Sequence, residues 1–320
     1  MREFFGGQEF YGIPCSATAK GEDPIGRIVH DYGYYPRGSY SVNAAHSCTS
    51  VQYLSSKEVA EILDGVKYFI KADLASGYRQ FGAHPVDWRF QVYCNGPDEH
   101  YIDLACPFGK TNSSLEFCPV VALFAKSMKR RYAQVYGGAE PSIGTHVDDI
   151  FGGFKKCDSY ERACHFREFL CVIGSTLTIK FNKKPEKTPM PATIQVILGR
   201  RYNSTTRRIN TAAKKIRKYR LRIAATLTTT IVSTKVIEKL HGCLNYVAEV
   251  EPFGRPFLAH LTMALSDAGG RETTSLSELT KLGLRIWDMI LRRNKGLSMD
   301  FILDRLPPSS SDIFVDASSM

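Results

Sequence analysis

The sequence predicts an α+β protein, an antiparallel sheet backed by helices, and three features carry that prediction. Val66 to Leu74 alternates with the two-residue period of a strand that ends near Asp73. Thr145-His146-Val147-Asp148-Asp149-Ile150-Phe151 has the pattern of a hairpin with two acids at its turn. After Asn210 the apolar residues follow the 3.6-residue helical period.

The first 60 residues are punctuated by Gly, Pro and Ser, with a strand-like Arg27 to Tyr32 and Lys20 in a loop. Ser56 opens a helix-like SKEVAEILDG that Gly65 closes. On the strand that follows, Val66, Tyr68, Ile70, Ala72 and Leu74 share one face, which leaves Asp73 on the other, looking into a site. Ala75-Ser76-Gly77-Tyr78 is a turn that presents an aromatic ring five residues after the acid. Trp88 to Tyr93 and Glu99 to Leu104 are predicted hairpin strands around Asn95-Gly96. Ser113 and Glu116 form the pattern of a capping box for a helix reaching Tyr136, with Pro119 expected to kink it or delay its start. The acidic hairpin follows, then a helix from Ser159 to Ile173 closed by Gly174. Three further helices are predicted to bury Val236, Ile237, Leu240, Leu244 and Val247, then Leu258, Leu261 and Leu265, then Leu279, Leu282, Ile286 and Ile290. Pro307 to Ser311 has the composition of a linker.

Ile143, Val147, Ile150, Phe151 and Phe154 strip water from Asp148 and Asp149, and burying unpaired charge costs several kcal/mol. A divalent cation is the usual remedy, although Asp is an ordinary turn residue and an Asp-Asp pair alone is a weak signal. Asp73 strengthens it. Two strand-borne acidic points can hold two magnesium ions roughly 3.5 to 4 Å apart, an arrangement that stabilises attacking and leaving oxygens in phosphoryl transfer. Magnesium takes few carboxylates beside water and phosphate, so Asp73, Asp148 and Asp149 suffice as ligands.

The 320 residues are 43% hydrophobic and 23% charged, which excludes a disordered chain and permits a substantial core. The net charge of +10 favours an anionic partner. Fourteen Lys or Arg lie between Lys180 and Arg222 against one acid, Glu186; the run is either a solvated face or a track for a phosphate backbone. Nine cysteines without a CxxC pair point to a reduced, intracellular protein. Cys157, Cys164 and Cys171 recur at two helical turns, the spacing of a buried stripe and not of a zinc site. Neither a secretory leader nor a run of 18 apolar residues is present, so neither secretion nor membrane insertion is expected.

KADLASGYRQ, ACPFGKTNSS and HVDDIFGG, in that order and spacing, resemble motifs A, B and C of reverse transcriptases. RIVHDYGYYPRGSYSVN upstream and LHGCLNYVAEVEPFGRPFLAHL downstream are similar to polymerases of LTR-type and especially DIRS-like retrotransposons. The resemblance covers Lys20 to Asp316 and implies a right-hand polymerase fold: fingers and palm in 1–210, a helical thumb and connection in 211–306, and in 307–320 a linker and the truncated start of an RNase H-like domain at Asp316. It implies RNA-directed DNA synthesis with two Mg2+ ions, replaceable by Mn2+, on an RNA or DNA template with a primer and deoxynucleoside triphosphates. By the same resemblance Asp73, Asp148 and Asp149 are catalytic, Tyr78 is a steric gate against ribose, and Lys20 and Arg27 grip the triphosphate. Gly109 is either a point of close nucleotide approach or a plain turn glycine. Gly199 and Arg200 resemble the primer grip, and Lys214, Lys215, Arg217 and Lys218 fall on the expected backbone track. The chain departs from the family pattern at His146, Lys110 and Ser114, where an aromatic, an apolar residue and a proline are common. Two other readings fit the acids: a two-metal nuclease, or a degenerate relic that only binds nucleic acid.

Overall fold

A computed structural model of the chain describes residues 3–7, 9–20, 23–35, 40–45, 51–94 and 99–305, with 17–20 and 23–28 as backbone only. The Asn95-Gly96 turn, the Pro307 linker and Asp316 lie outside the described residues. The chain divides into two compact units, Met1–Leu54 with Gly65–Ala192, and Ser55–Asp64 with Thr193–Met320.

The first unit is organised by a three-stranded antiparallel sheet in which Asp149–Gly153 lies between Ile70–Asp73 and Ser142–His146. Its register sets Asp73 opposite Asp149 and His146 opposite Asp149 on the other side. The helices Ser113–Tyr136 and Tyr160–Thr176 supply the core behind it: Phe117, Val121, Phe166 and Leu170 meet Ile70, Ala72, Leu74 and Ile150. Each of these side chains larger than Ala72 contributes about 1.5 to 3 kcal/mol by leaving water. Gly152 and Gly153 hold this sheet together. Both take positive φ, and a Cβ on Gly152 would stand 1.9 Å from the Ser142 carbonyl oxygen. Hairpins add Cys15–Lys20 with Asp23–His30, and Val92–Cys94 with His100–Ile102.

Several local expectations are corrected. The Asp73 strand pairs regularly only over Ile70–Asp73, with isolated bridges at Val66, Phe69 and Leu74. Phe69, on the face assigned to the site, is fully buried, so the strand is covered on both faces and alternation understates its burial. Lys20 ends a strand and is not in a loop. Pro85–Phe90 is a 3₁₀ helix, so the expected strand from Trp88 shortens to Val92–Cys94. Ser113 caps nothing: the helix starts after Asn112, and the Ser113 hydroxyl donates to the Pro107 carbonyl at 2.6 Å. That helix is continuous through Pro119. A capping box forms instead at Ser55 with Glu58, one residue before the expected helix start. Gly174 lies inside Tyr160–Thr176, where a Cβ would meet the Phe181 ring at 2.6 Å; packing, not capping, requires glycine there. Cys157 precedes that helix, and Cys157, Cys164 and Cys171 are half-buried, not a buried stripe.

The second unit carries a four-stranded antiparallel sheet, Leu297–Ser298, Arg208–Thr211, Arg200–Asn203 and Ile194–Ile197 in spatial order. The helices Ala213–Leu227, Thr234–Ala248, Leu258–Ala268 and Glu278–Arg293 enclose Ile223, Ile237, Leu240, Leu244, Leu261, Leu284 and Trp287. Gly254 lies against Trp287, where a Cβ would stand 2.2 Å from the ring. The last helix buries Leu284, Trp287 and Leu291, while Leu279 and Leu282 are exposed, and Val236 is exposed as well. Two apolar stripes run along Glu278–Arg293, and the one containing the tryptophan won. No helix among the described residues is long and apolar enough to cross a membrane.

Candidate metal centre

Asp73, Asp148 and Asp149 come together: one oxygen from each lies within 4.8 Å of the others. The sheet does this directly, because Asp73 ends one strand and Asp149 starts its neighbour in register. Asp148 sits in the two-residue turn between His146 and Asp149, and its carbonyl accepts the Leu74 N–H at 2.9 Å, tying the turn to the Asp73 strand. Val147, the other turn residue, holds φ at +54°, a conformation unfavourable for a β-branched side chain. Gly77 permits a close approach from below: a Cβ there would stand 3.1 Å from Asp148 Cβ and 2.8 Å from the Phe117 ring.

The cluster is flanked by cations the sequence did not single out. Asp73 is nearly fully buried; Lys187 Nζ donates to its Oδ1 at 3.0 Å and Asn182 Nδ2 to its Oδ2 at 3.2 Å. Lys71 Nζ stands 3.4 Å from Asp149 Oδ1, close enough for charge attraction, yet among the described residues that buried oxygen has no well-formed hydrogen bond. Burial raises the pKa of Asp148, and the Asp73 charge adds to it against Lys187 and Lys71. Burial likewise raises Asp149, opposed by Lys71 and reinforced by Asp73 and Asp148. Three hard oxygen donors, an orphaned buried carboxylate oxygen and two acids disfavoured as anions fit a divalent cation.

Tyr78 lies beside this centre in the 3₁₀ turn Gly77–Gln80, entered through Ser76 in the left-handed region. Its ring stacks on Phe117 at 4.4 Å and meets Phe108 edge-on at 4.7 Å; its hydroxyl is 2.8 Å from Ser114 Oγ. The Lys110 departure also has a local cause, since the buried ammonium stands 3.2 Å from Asp87. The His146 ring lies tilted against Tyr53, with centres 5.0 Å apart and planes at 43°. Gly109 takes φ +94°, and the group a Cβ would meet is the His30 carbonyl at 3.0 Å. Lys20 and Arg27 occupy facing strands of one hairpin, Lys20 opposite Asp23 and Arg27 opposite Thr18; their side chains are outside the described residues.

The fold has known counterparts. Three structures of the foamy viral protease-reverse transcriptase match over 91% of the chain at 16 to 17% identity: with dsDNA, TM-score 0.67 and 45% of that chain covered; again with dsDNA, 0.64 and 54%; and with an RNA/DNA hybrid, 0.64 and 34%. The fold is reverse-transcriptase-like. The chain spans between about a third and about half of those proteins. No family model and no curated protein matches it.

In the second unit the basic run is partly spoken for. Arg200 is buried, donates to Glu249 Oε2 at 2.6 Å and to the Tyr246 carbonyl at 3.0 Å, and lies over the Tyr246 ring. Arg207 binds Asp300 and Asp64, and Arg220 binds Asp288. Lys215 is half-buried with its ammonium 3.8 Å from the Tyr246 ring centre, where burial lowers its pKa. Gly199 takes φ +79°, with Lys215 filling the space its missing side chain leaves. Lys214, Arg217 and Lys218 are exposed on the same helix. A charge count cannot separate cations used in folding from cations left for a ligand.

Proposed function

We propose that the chain is an RNA-directed DNA polymerase of a retrotransposon, extending a primer by two-metal phosphoryl transfer. The observation that carries this reading is the convergence of Asp73, Asp148 and Asp149 at a hairpin turn within a reverse-transcriptase-like fold. The primer 3′ oxygen bonds to the α-phosphorus of a deoxynucleoside triphosphate, its proton leaves, and the bond to the bridging oxygen breaks to release pyrophosphate. Asp73, Asp148 and Asp149 would hold two Mg2+ ions, which supply charge stabilisation to the attacking and leaving oxygens. Tyr78 closes the sugar site against a 2′ hydroxyl; Lys20 and Arg27 hold the triphosphate, and Gly109 lies along the nucleotide's approach. Gly199 and Arg200 support the primer end, Arg200 through its contacts with Glu249 and Tyr246. Lys214, Arg217 and Lys218, with Lys215 beside them, line the backbone track. In this reading 1–210 are fingers and palm, 211–306 thumb and connection, and 307–320 lead into an RNase H domain at Asp316.

The test is extension of an oligo(dT) primer on poly(rA) with and without magnesium. Magnesium-dependent lengthening by dTTP supports the reading. Shortening of the primed template without incorporation would replace it with a nuclease, and binding without either reaction would leave a nucleic-acid-binding relic.

A further inference from the structure

The Ser114 hydroxyl lies 2.8 Å from the Tyr78 hydroxyl, at a position where the resembling family commonly has proline. Proline has no side-chain polar atom to offer. Ser114 and Phe117 stand three residues apart on the helix Ser113–Tyr136, hence on one face, and both meet Tyr78: one at its hydroxyl, the other along its ring face at 4.4 Å. Phe108 adds an edge contact at 4.7 Å. The backbone beneath is set independently, by Ser76 in the left-handed region and by Gly77, which has no room for a Cβ against Phe117. Stacking on Phe117 restrains the ring plane but not sliding within it. A hydrogen bond at the far end of the ring removes that freedom.

We propose that Ser114 is a positioning residue for sugar selection: by holding the Tyr78 hydroxyl it fixes the ring that discriminates deoxyribose from ribose. The inference rests on the polymerase reading above. It makes Tyr78 act as a tyrosine, through a bond phenylalanine cannot make, and it assigns part of the selectivity to a side chain that need not touch the nucleotide. Losing one such hydrogen bond corresponds to a factor of roughly 5 in an equilibrium.

The test measures kcat/KM for dTTP and UTP on primed poly(rA) with the full chain, Ser114→Ala, Ser114→Thr, Tyr78→Phe and the double variant Tyr78→Phe/Ser114→Ala. The expected result is a fall of roughly fivefold in the deoxy-to-ribo ratio for Ser114→Ala and for Tyr78→Phe, with no further fall in the double variant and recovery in Ser114→Thr. For Ser114→Ala and Ser114→Thr the dTTP value itself stays near that of the unmodified chain, which a general structural loss would not allow. An unchanged ratio in Ser114→Ala, or independent effects that multiply in the double variant, overturns the inference while leaving the polymerase reading intact. No incorporation of dTTP by the unmodified chain overturns both.

Discussion

Lys187 donates from Nζ to Asp73 Oδ1 at 3.0 Å, setting a tethered cation on the one acid of the cluster that is almost fully buried. The lysine itself is about half exposed, at 47% of its side chain, so the pair is worth less than an enclosed one. We predict that Lys187→Met destabilises the metal-free protein by about 1 to 2 kcal/mol and makes stabilisation by added magnesium larger than in the unmodified chain. Thermal unfolding with and without magnesium checks this; equal melting temperatures for both proteins without metal would contradict it.

The glycines give two predictions of opposite sign. Gly152→Ala drives a Cβ into the Ser142 carbonyl at 1.9 Å and should cost about 3 kcal/mol or more in urea unfolding. Gly242→Ala, inside the helix Thr234–Ala248 with nothing within 4 Å of the new Cβ, should stabilise by about 0.5 to 1 kcal/mol. A tolerated Gly152→Ala would mean that the hairpin is not paired as described.

Asp64 supplies a pH dependence. Burial pushes its carboxyl up, but hydrogen bonds from Arg305 and from Arg207, the latter at 3.0 Å, outweigh burial and hold it below the ordinary 3.8. A carboxyl lowered by folding contributes stability that is fully present above its unfolded value and is lost as pH falls through the folded one. The stability advantage over Asp64→Asn should therefore hold constant at neutral pH and shrink below pH 3.8. Denaturant titrations across that range decide it, and an advantage that grows in acid would reverse the assignment.

The periodic features were legible because each is local. The Asp73 strand, the acidic hairpin and Tyr78 are each read within ten residues. Partnerships across long separations were not. Lys187 lies 114 residues from Asp73 and is, in the sequence, one more cation in a basic run, and Ser114, 36 residues from Tyr78, stands out only as a departure from a family pattern. The helix Glu278–Arg293 failed differently: both of its stripes satisfy the helical period, and only the large Trp287, buried against Gly254, decides which faces inward. Gly152 gave no sign of its role because the demand comes from the facing strand.

The same distinction refines the salt dependence expected of the proposed nucleic-acid binding. Lys214, Arg217 and Lys218 are exposed, whereas Lys215 is held over Tyr246. Neutralising the three exposed residues should flatten the slope of log affinity on log salt by up to roughly 0.9 per residue, and Lys215→Ala should act mainly on stability. Fluorescence anisotropy at several salt concentrations measures both; an unaltered slope in the triple variant would make this a solvated face.

The most direct measurement is primer extension by Asp148→Asn beside the unmodified chain, with primed-template binding measured on the same preparations. Asp148 belongs to the cluster whose oxygens lie within 4.8 Å, so losing its charge removes a proposed metal ligand while Lys214, Arg217 and Lys218 remain. Magnesium-dependent extension should be abolished in Asp148→Asn while binding persists within a few-fold. Extension by Asp148→Asn at a rate near that of the unmodified chain would contradict it.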